Sequence, residues 1–201
     1  MQRPSSVQTE VEAKARRACI DADKGIAYTV FYDLEKGDNY QGLVQVEFYY
    51  VGGDNVFFDW TGDTLESIRV NKVTFKPEAE ADKTKVKIEE SYLIKDSFNI
   101  VELKYKNRYY RDGEGIHTYI DTDGKQYIYT ETEPFLQNRV IPCFDQPDLK
   151  GTYKRYFTCP ADWVVVTTEA AEVESTYGKA EQNKEFLKRI KEVFPEISAD
   201  K

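Results

Sequence analysis

Residues 98–110 (FNIVELKYKNRYY) alternate without a break: Val101, Leu103 and Tyr105 are set against Glu102, Lys104 and Lys106. Successive side chains of a strand point to opposite faces, so this run separates apolar from charged groups only as a β-strand with one buried face. The same period of two recurs in residues 43–51 (LVQVEFYYV), where Val44, Val46 and Phe48 alternate with Gln45, Glu47 and Tyr49. Residues 26–34 (IAYTVFYDL) are rich in β-branched and aromatic side chains, and Lys36-Gly37-Asp38-Asn39 separates the two runs as a turn. A hairpin follows, and one-face burial of this kind favours an antiparallel sheet. The expected fold is therefore mainly β, an antiparallel sandwich or saddle.

Shorter strands are predicted at 55–60 and 65–70, divided by Thr61-Gly62-Asp63, with Asn71-Lys72 turning the chain afterwards. Residues 78–87 are highly charged and read as a solvated loop leading to an edge strand at 86–88. Strands at 117–120 and 126–130 are joined through Asp121-Thr122-Asp123-Gly124, whose Asp-Gly step suits a tight turn. Residues 151–159 and 163–167 are the last strands expected. Helices bracket the β region. At one end Thr9 is a candidate N-cap for residues 9–19, with Glu12 three positions on, after a polar and loose start at 1–8. At the other, Phe186, Leu187, Ile190, Val193 and Phe194 recur at helical spacing in residues 180–194, which Pro195 stops. Three segments result: 1–8, a β domain at 9–168 and a helical tail at 169–201.

A chain of 201 residues is long enough for one well-buried domain without metal or disulfide staples. Its formal charge of -8 opposes a broad phosphate-binding surface, so nucleic acid is not an expected partner. The three cysteines, Cys19, Cys143 and Cys159, show neither metal spacing nor disulfide density and read as reduced thiols of a cytoplasmic protein. No run reaches the roughly 20 apolar residues of a membrane span, the start lacks a signal-peptide core, and Glu10 and Glu12 argue against a mitochondrial presequence. Histidine is the sharpest exclusion. With His117 alone in the sequence, a His-Glu-x-x-His zinc site cannot be built. A serine or cysteine hydrolase would need that same histidine, and no Gly-x-Ser-x-Gly elbow presents a nucleophile to it. No cofactor, metal or catalytic residue is expected.

Residues 129–150 (YTETEPFLQNRVIPCFDQPDLK), followed by Pro160-Ala161-Asp162-Trp163-Val164-Val165, resemble the signature of the N-terminal domain of M1-family zinc aminopeptidases, the aminopeptidase N type. The match in residue types runs back through Gly115-Ile116-His117, Phe58-Asp59-Trp60 and residues 32–37 to about Glu10, and NRVIPCFDQPD is its most specific part. The resemblance implies a saddle-like β domain that packs on a zinc-bearing catalytic domain. That domain's Gly-x-Met-Glu-Asn motif has no counterpart in these residues, whose one methionine is Met1. In the family, an acidic or amide residue of a Thr-Gln-x-Glu pattern receives the substrate's free α-amine. Here Thr130-Glu131-Thr132-Glu133 places Glu133 at that position, with Glu131 where glutamine is usual. A carboxylate suits an ammonium because the hydrogen bond is charge-assisted. The family's domain also continues with further strands after the segment matching Val164-Val165-Val166, where this chain turns to its helix. The expectation is a non-catalytic structural or adaptor subunit of a larger protein assembly, with Phe186, Leu187, Ile190, Val193 and Phe194 either docking on a partner or covering the chain's own sheet. A peptide N-terminus binder centred on Glu133, and the non-zinc half of a split aminopeptidase paired with a zinc-peptidase chain, are the alternatives.

Overall fold

The computed structural model describes residues 8–77 and 84–169; the predicted tail helix lies outside them. In chain order come α1 (Glu10–Cys19), β1 (Ile26–Leu34), β2 (Asn39–Tyr50), β3 (Phe57–Asp59), β4 (Thr64–Val70), β5 (Val73–Phe75), β6 (Lys85–Lys87), β7 (Ser97–Arg108), β8 (Gly115–Ile120), β9 (Gln126–Glu131) and β10 (Thr152–Thr158). Six strands form the main sheet in the order β10-β1-β2-β7-β4-β5, while β3 with β6 and β8 with β9 make two-stranded ribbons. No helix among the described residues is long and apolar enough to cross a membrane.

The alternation places the core as expected. Val44, Val46 and Phe48 of β2 and Val101, Leu103 and Tyr105 of β7 are all fully buried, and their strands run antiparallel in register. Gly42 is required by this packing, since a Cβ there would lie 2.3 Å from the Tyr105 hydroxyl and 2.9 Å from the Phe31 carbonyl oxygen. Over this face sit the aromatic rings of Phe58 and Phe144, stacked with centroids 4.4 Å apart, with Phe48 edge-on to Phe144 at 5.3 Å.

The sheets are dominated by antiparallel pairs, as expected, and two details differ. β10 runs parallel to β1, the one parallel pair among the named strands of the main sheet. The register explains this pairing: it stacks Tyr28 on Tyr153 (4.6 Å), Phe31 on Tyr156 (4.8 Å) and Tyr32 on Phe157 (5.0 Å), three cross-strand aromatic pairs that an alternation pattern cannot orient. The strand predicted at 163–167 does not form; residues 164–169 carry no strand and are exposed. Trp163-Val164-Val165-Val166 has strand-like composition, but a strand needs a neighbour to take its hydrogen bonds, and none of the described residues offers one. The short β5, unpredicted, completes a turn at Asn71, whose backbone is left-handed (φ 54°).

The helix at the start is capped as its sequence suggests. The Thr9 hydroxyl accepts from the Glu12 amide at 3.3 Å, and the Thr9 amide donates to the Glu12 carboxylate at 2.9 Å. Arg16 then fastens α1 to the domain from a site with no solvent exposure. Its guanidinium donates to Asp59 at 2.7 Å, to the Phe57 carbonyl at 3.1 Å and to the Gln146 side chain at 3.0 Å, and it lies 4.4 Å over the Phe57 ring.

Glu12 also pairs with Lys85, and that ammonium together with the Thr9 amide and hydroxyl holds its carboxyl down at about 2. A folded value below the ordinary 4.5 means stability that is present above 4.5 and is lost as pH falls toward 2. The Glu12 side chain is 40% exposed, so solvent screening limits the contribution to about 1 kcal/mol or less. Glu12→Gln is expected to lower the urea midpoint at neutral pH, and the gap to wild type should close between about pH 5 and about pH 2.

Candidate functional site

The run of residues 137–149 is a structural knot. Asn138 donates from its side chain and its backbone to Asp145 at 2.7 and 2.9 Å and accepts from the Thr61 hydroxyl at 2.7 Å. Cys143 bridges to Asp59 through backbone hydrogen bonds in both directions, and the Phe144 amide donates to the Tyr28 hydroxyl at 3.1 Å. Burial pushes the Cys143 thiol well above its ordinary range, which leaves it an inert apolar group. Arg139 pairs with Asp112 at 2.9 Å and with Glu114, and its guanidinium covers the Tyr110 ring at 3.8 Å. These bonds join the knot to the segment that precedes the β8–β9 ribbon. Sequence reasoning missed Arg16 and Gln146 in this region, because a helix arginine carries no local mark of being buried.

The ribbon itself is the site with exposed chemistry. His117 faces Tyr129 and Tyr119 faces Tyr127 across the pair, while Gly115 opposes Glu131, so all six lie on one face. Ile116 and Thr118, on the opposite face, are 3% and 2% exposed and hold the ribbon against the body of the domain. On the open face Tyr119, Tyr127 and Tyr129 are 53%, 50% and 51% exposed. Tyr127 and Tyr129, two positions apart in β9, and Tyr119 opposite them in β8 form a ladder that only the pairing of the two strands brings together. His117 is a positioned structural residue: its Nδ1 accepts from the Gly113 amide at 2.8 Å, and its ring lies 4.8 Å from that of Tyr129.

Glu131 ends β9, and Glu133 follows two residues later beside a cis Glu133–Pro134 peptide. Both are exposed. The Glu131 carboxylate accepts from the Glu133 amide at 3.0 Å, which shapes the loop and occupies one of its oxygens. The two acids are thus together at the end of the tyrosine ladder. The docking residues Phe186, Leu187, Ile190, Val193 and Phe194 fall outside the described residues. A shallow depression between Asn39 and Tyr110 offers little, since its charges pair internally, Arg108 with Asp63 at 2.6 Å and Arg111 with Asp38 at 2.7 Å.

The donor set does not fit the zinc of an aminopeptidase. His117 is the one histidine of the sequence, its Nδ1 is already occupied, and no three His, Cys, Asp or Glu residues converge among the described residues.

Comparison with known proteins agrees with this architecture. Aminopeptidase N of Streptomyces lividans is 27% identical over 173 residues, which are 82% of this chain and 19% of that protein. The probable aminopeptidase 1 of Saccharolobus solfataricus is 29% identical over 128 residues, 63% of this chain and 15% of that protein. The chain therefore spans less than a fifth of the length of these curated relatives. Among solved structures, aminopeptidase A of Legionella pneumophila superposes with a TM-score of 0.53 at 21% identity, over 66% of this chain and 15% of that one. Native leukotriene A4 hydrolase of Saccharomyces cerevisiae does so with a TM-score of 0.52 at 13% identity, over 76% and 28%. The pattern of the Peptidase M1 N-terminal domain matches residues 61–191, about two thirds of the sequence, and the chain belongs to that family.

Proposed function

We propose that this domain performs no chemistry of its own and serves as a structural or adaptor subunit that holds a protein partner in a larger cytoplasmic assembly. The observation that carries this reading is the bare ladder of Tyr119, Tyr127 and Tyr129, each about half exposed, with Glu131 at its end. Rigid aromatics contribute large contact area at small entropic cost and are enriched at protein interfaces. The partner surface that fits is apolar at its centre, with a cationic group set against Glu131 and Glu133. The relatives support a protein partner, since the matched region is a small part of each and this domain type is found joined to further protein. A second reading rests on Glu133 itself: exposed and beside Glu131, it suits the free amine of a peptide.

One set of pull-downs separates the two readings. The full chain is used to recover its partner from expressing cells, alongside Tyr119→Ser/Tyr127→Ser and Glu133→Gln. Loss of the partner in the tyrosine variant, at unchanged thermal stability, is the expected result. Loss in Glu133→Gln that is reproduced by acetylating the partner's N-terminus would replace it with the peptide-amine reading. Retention in both variants would remove the ribbon as the contact surface.

A further inference from the structure

Residues 115–120 (GIHTYI) and 126–131 (QYIYTE) send alternate side chains to opposite faces of the β8–β9 ribbon, so that Ile116, Thr118 and Ile128 face the domain and the tyrosines face outward. The ribbon is held in place by hydrogen bonds. The Gln126 side chain donates to the Gly37 carbonyl at 2.7 Å and to the Thr118 hydroxyl at 2.8 Å, and it accepts from the Gly37 amide at 3.0 Å. On the other strand the Thr118 amide donates to the Tyr110 carbonyl at 2.9 Å. Tyr119, Tyr127 and Tyr129 therefore stand on a fixed support, each about half exposed, and a ligand seated on them has little ordering entropy to offset. Among the described residues no hydrogen-bond partner meets their hydroxyls, and no cation pairs with Glu131 or Glu133.

Such a face offers apolar rings and hydroxyl donors together. A polyproline II segment answers both, because its proline rings are apolar, its carbonyls have no internal hydrogen bonds, and its conformation is set before it binds. A strand added to the ribbon would pair at an edge and leave the tyrosine face bare. The spacing also fits. From Tyr127 to Glu131 the strand advances about 13.6 Å at about 3.4 Å per residue, which a polyproline II chain covers in four to five residues at about 3.1 Å each. A proline seated on Tyr119 and Tyr127 has the next residue of its own face about 9.3 Å further on, beyond Tyr129, and a side chain two places later reaches Glu131 and Glu133. Those two carboxylates call for a lysine or arginine there, and the chain's formal charge of -8 draws a basic ligand toward it.

We propose that the tyrosine face of the β8–β9 ribbon binds a proline-rich segment in the polyproline II conformation, with a basic residue of that segment set over Glu131 and Glu133. This rests on the adaptor reading and names the chemistry of the partner at the same surface.

A library of acetylated peptides built on Pro-x-x-Pro-x-Arg, titrated into the full chain and read by amide NMR, tests the proposal. The acetyl group removes any contribution from a free peptide amine. Binders that shift the amides of Tyr119, Tyr127 and Tyr129 are the expected result, with affinity falling about tenfold when either proline becomes alanine or when Tyr119→Ser/Tyr127→Ser replaces the wild type. Glu131→Lys/Glu133→Lys should release these peptides and take up members that carry glutamate in place of the arginine, a reversal that decides the matter should the tyrosine variant fail to fold. No binder at millimolar peptide, equal affinity without the prolines, or shifts confined to other parts of the domain would overturn the proposal. Competition keeps its failure apart from that of the adaptor reading. A cellular partner that the tyrosine variant loses but the library does not displace would overturn the proline-rich ligand and leave the adaptor standing, whereas a partner retained by the tyrosine variant would remove the ribbon as the adaptor's contact.

Discussion

Arg16→Leu is expected to lower the free energy of unfolding by about 3–5 kcal/mol, because it strands the buried Asp59 carboxylate without its cation. Both side chains are essentially inaccessible to water, and the substitution also leaves the Phe57 carbonyl and the Gln146 side chain without their donor. Replacing both members should cost less than replacing one. Arg16→Leu/Asp59→Leu removes the uncompensated charge, although the Asp145 amide and Gln8 then lose their acceptor. The pH dependence adds a signature. Burial pushes the Asp59 carboxyl above its ordinary 3.8, and Arg16 opposes that push. In Arg16→Leu the opposition is gone and the folded value lies higher still. The folded state then holds the proton more tightly than the unfolded state, so stability of the variant should rise as pH falls through that raised value toward 3.8. Urea unfolding at several pH values checks both statements. A loss below about 1 kcal/mol, or one equally large at acid and neutral pH, would show that Arg16 does not carry the attachment of α1.

Phe144→Ala should have an effect of similar size, about 3–5 kcal/mol, by opening a cavity where three rings meet. Phe144 is 4% exposed, stacks on Phe58 and meets Phe48 edge-on, so its removal uncovers the centre of the main sheet. The denaturation midpoint should fall with the slope unchanged, as expected when stability but not compactness is altered. A loss near that of an exposed residue would mean that the Pro-Cys-Phe-Asp turn is not the keystone its bonds describe.

These two residues also mark where sequence reading succeeds and where it stops. β1 was read with its observed limits, the capping box of Thr9 and Glu12 is present, and β7 buries the face its alternation indicates, because each of these signals is local. The run NRVIPCFDQPD carried the resemblance to the family, and its rings and amides prove to be the domain's central knot. What could not be read depends on partners remote in the chain. Arg16 looks like any surface arginine until Asp59, forty-three positions on, is brought beside it. The parallel docking of β10 follows from three ring pairs across more than a hundred residues, and the strand at 163–167 fails for want of a neighbour. At the candidate site, Glu133 and Glu131 are exposed where the resemblance placed an amine contact, whereas the tyrosine ladder appeared only once β8 and β9 were paired.

The adaptor reading is tested most directly by a gentle native purification of the full chain, with mass spectrometry of every co-eluting protein and a zinc determination on the same fraction. A stoichiometric partner that is not a peptidase, in a fraction free of zinc, is the predicted result; a zinc-bearing peptidase chain eluting at one-to-one stoichiometry, with peptidase activity in the complex, would contradict it and make this domain one half of a divided enzyme.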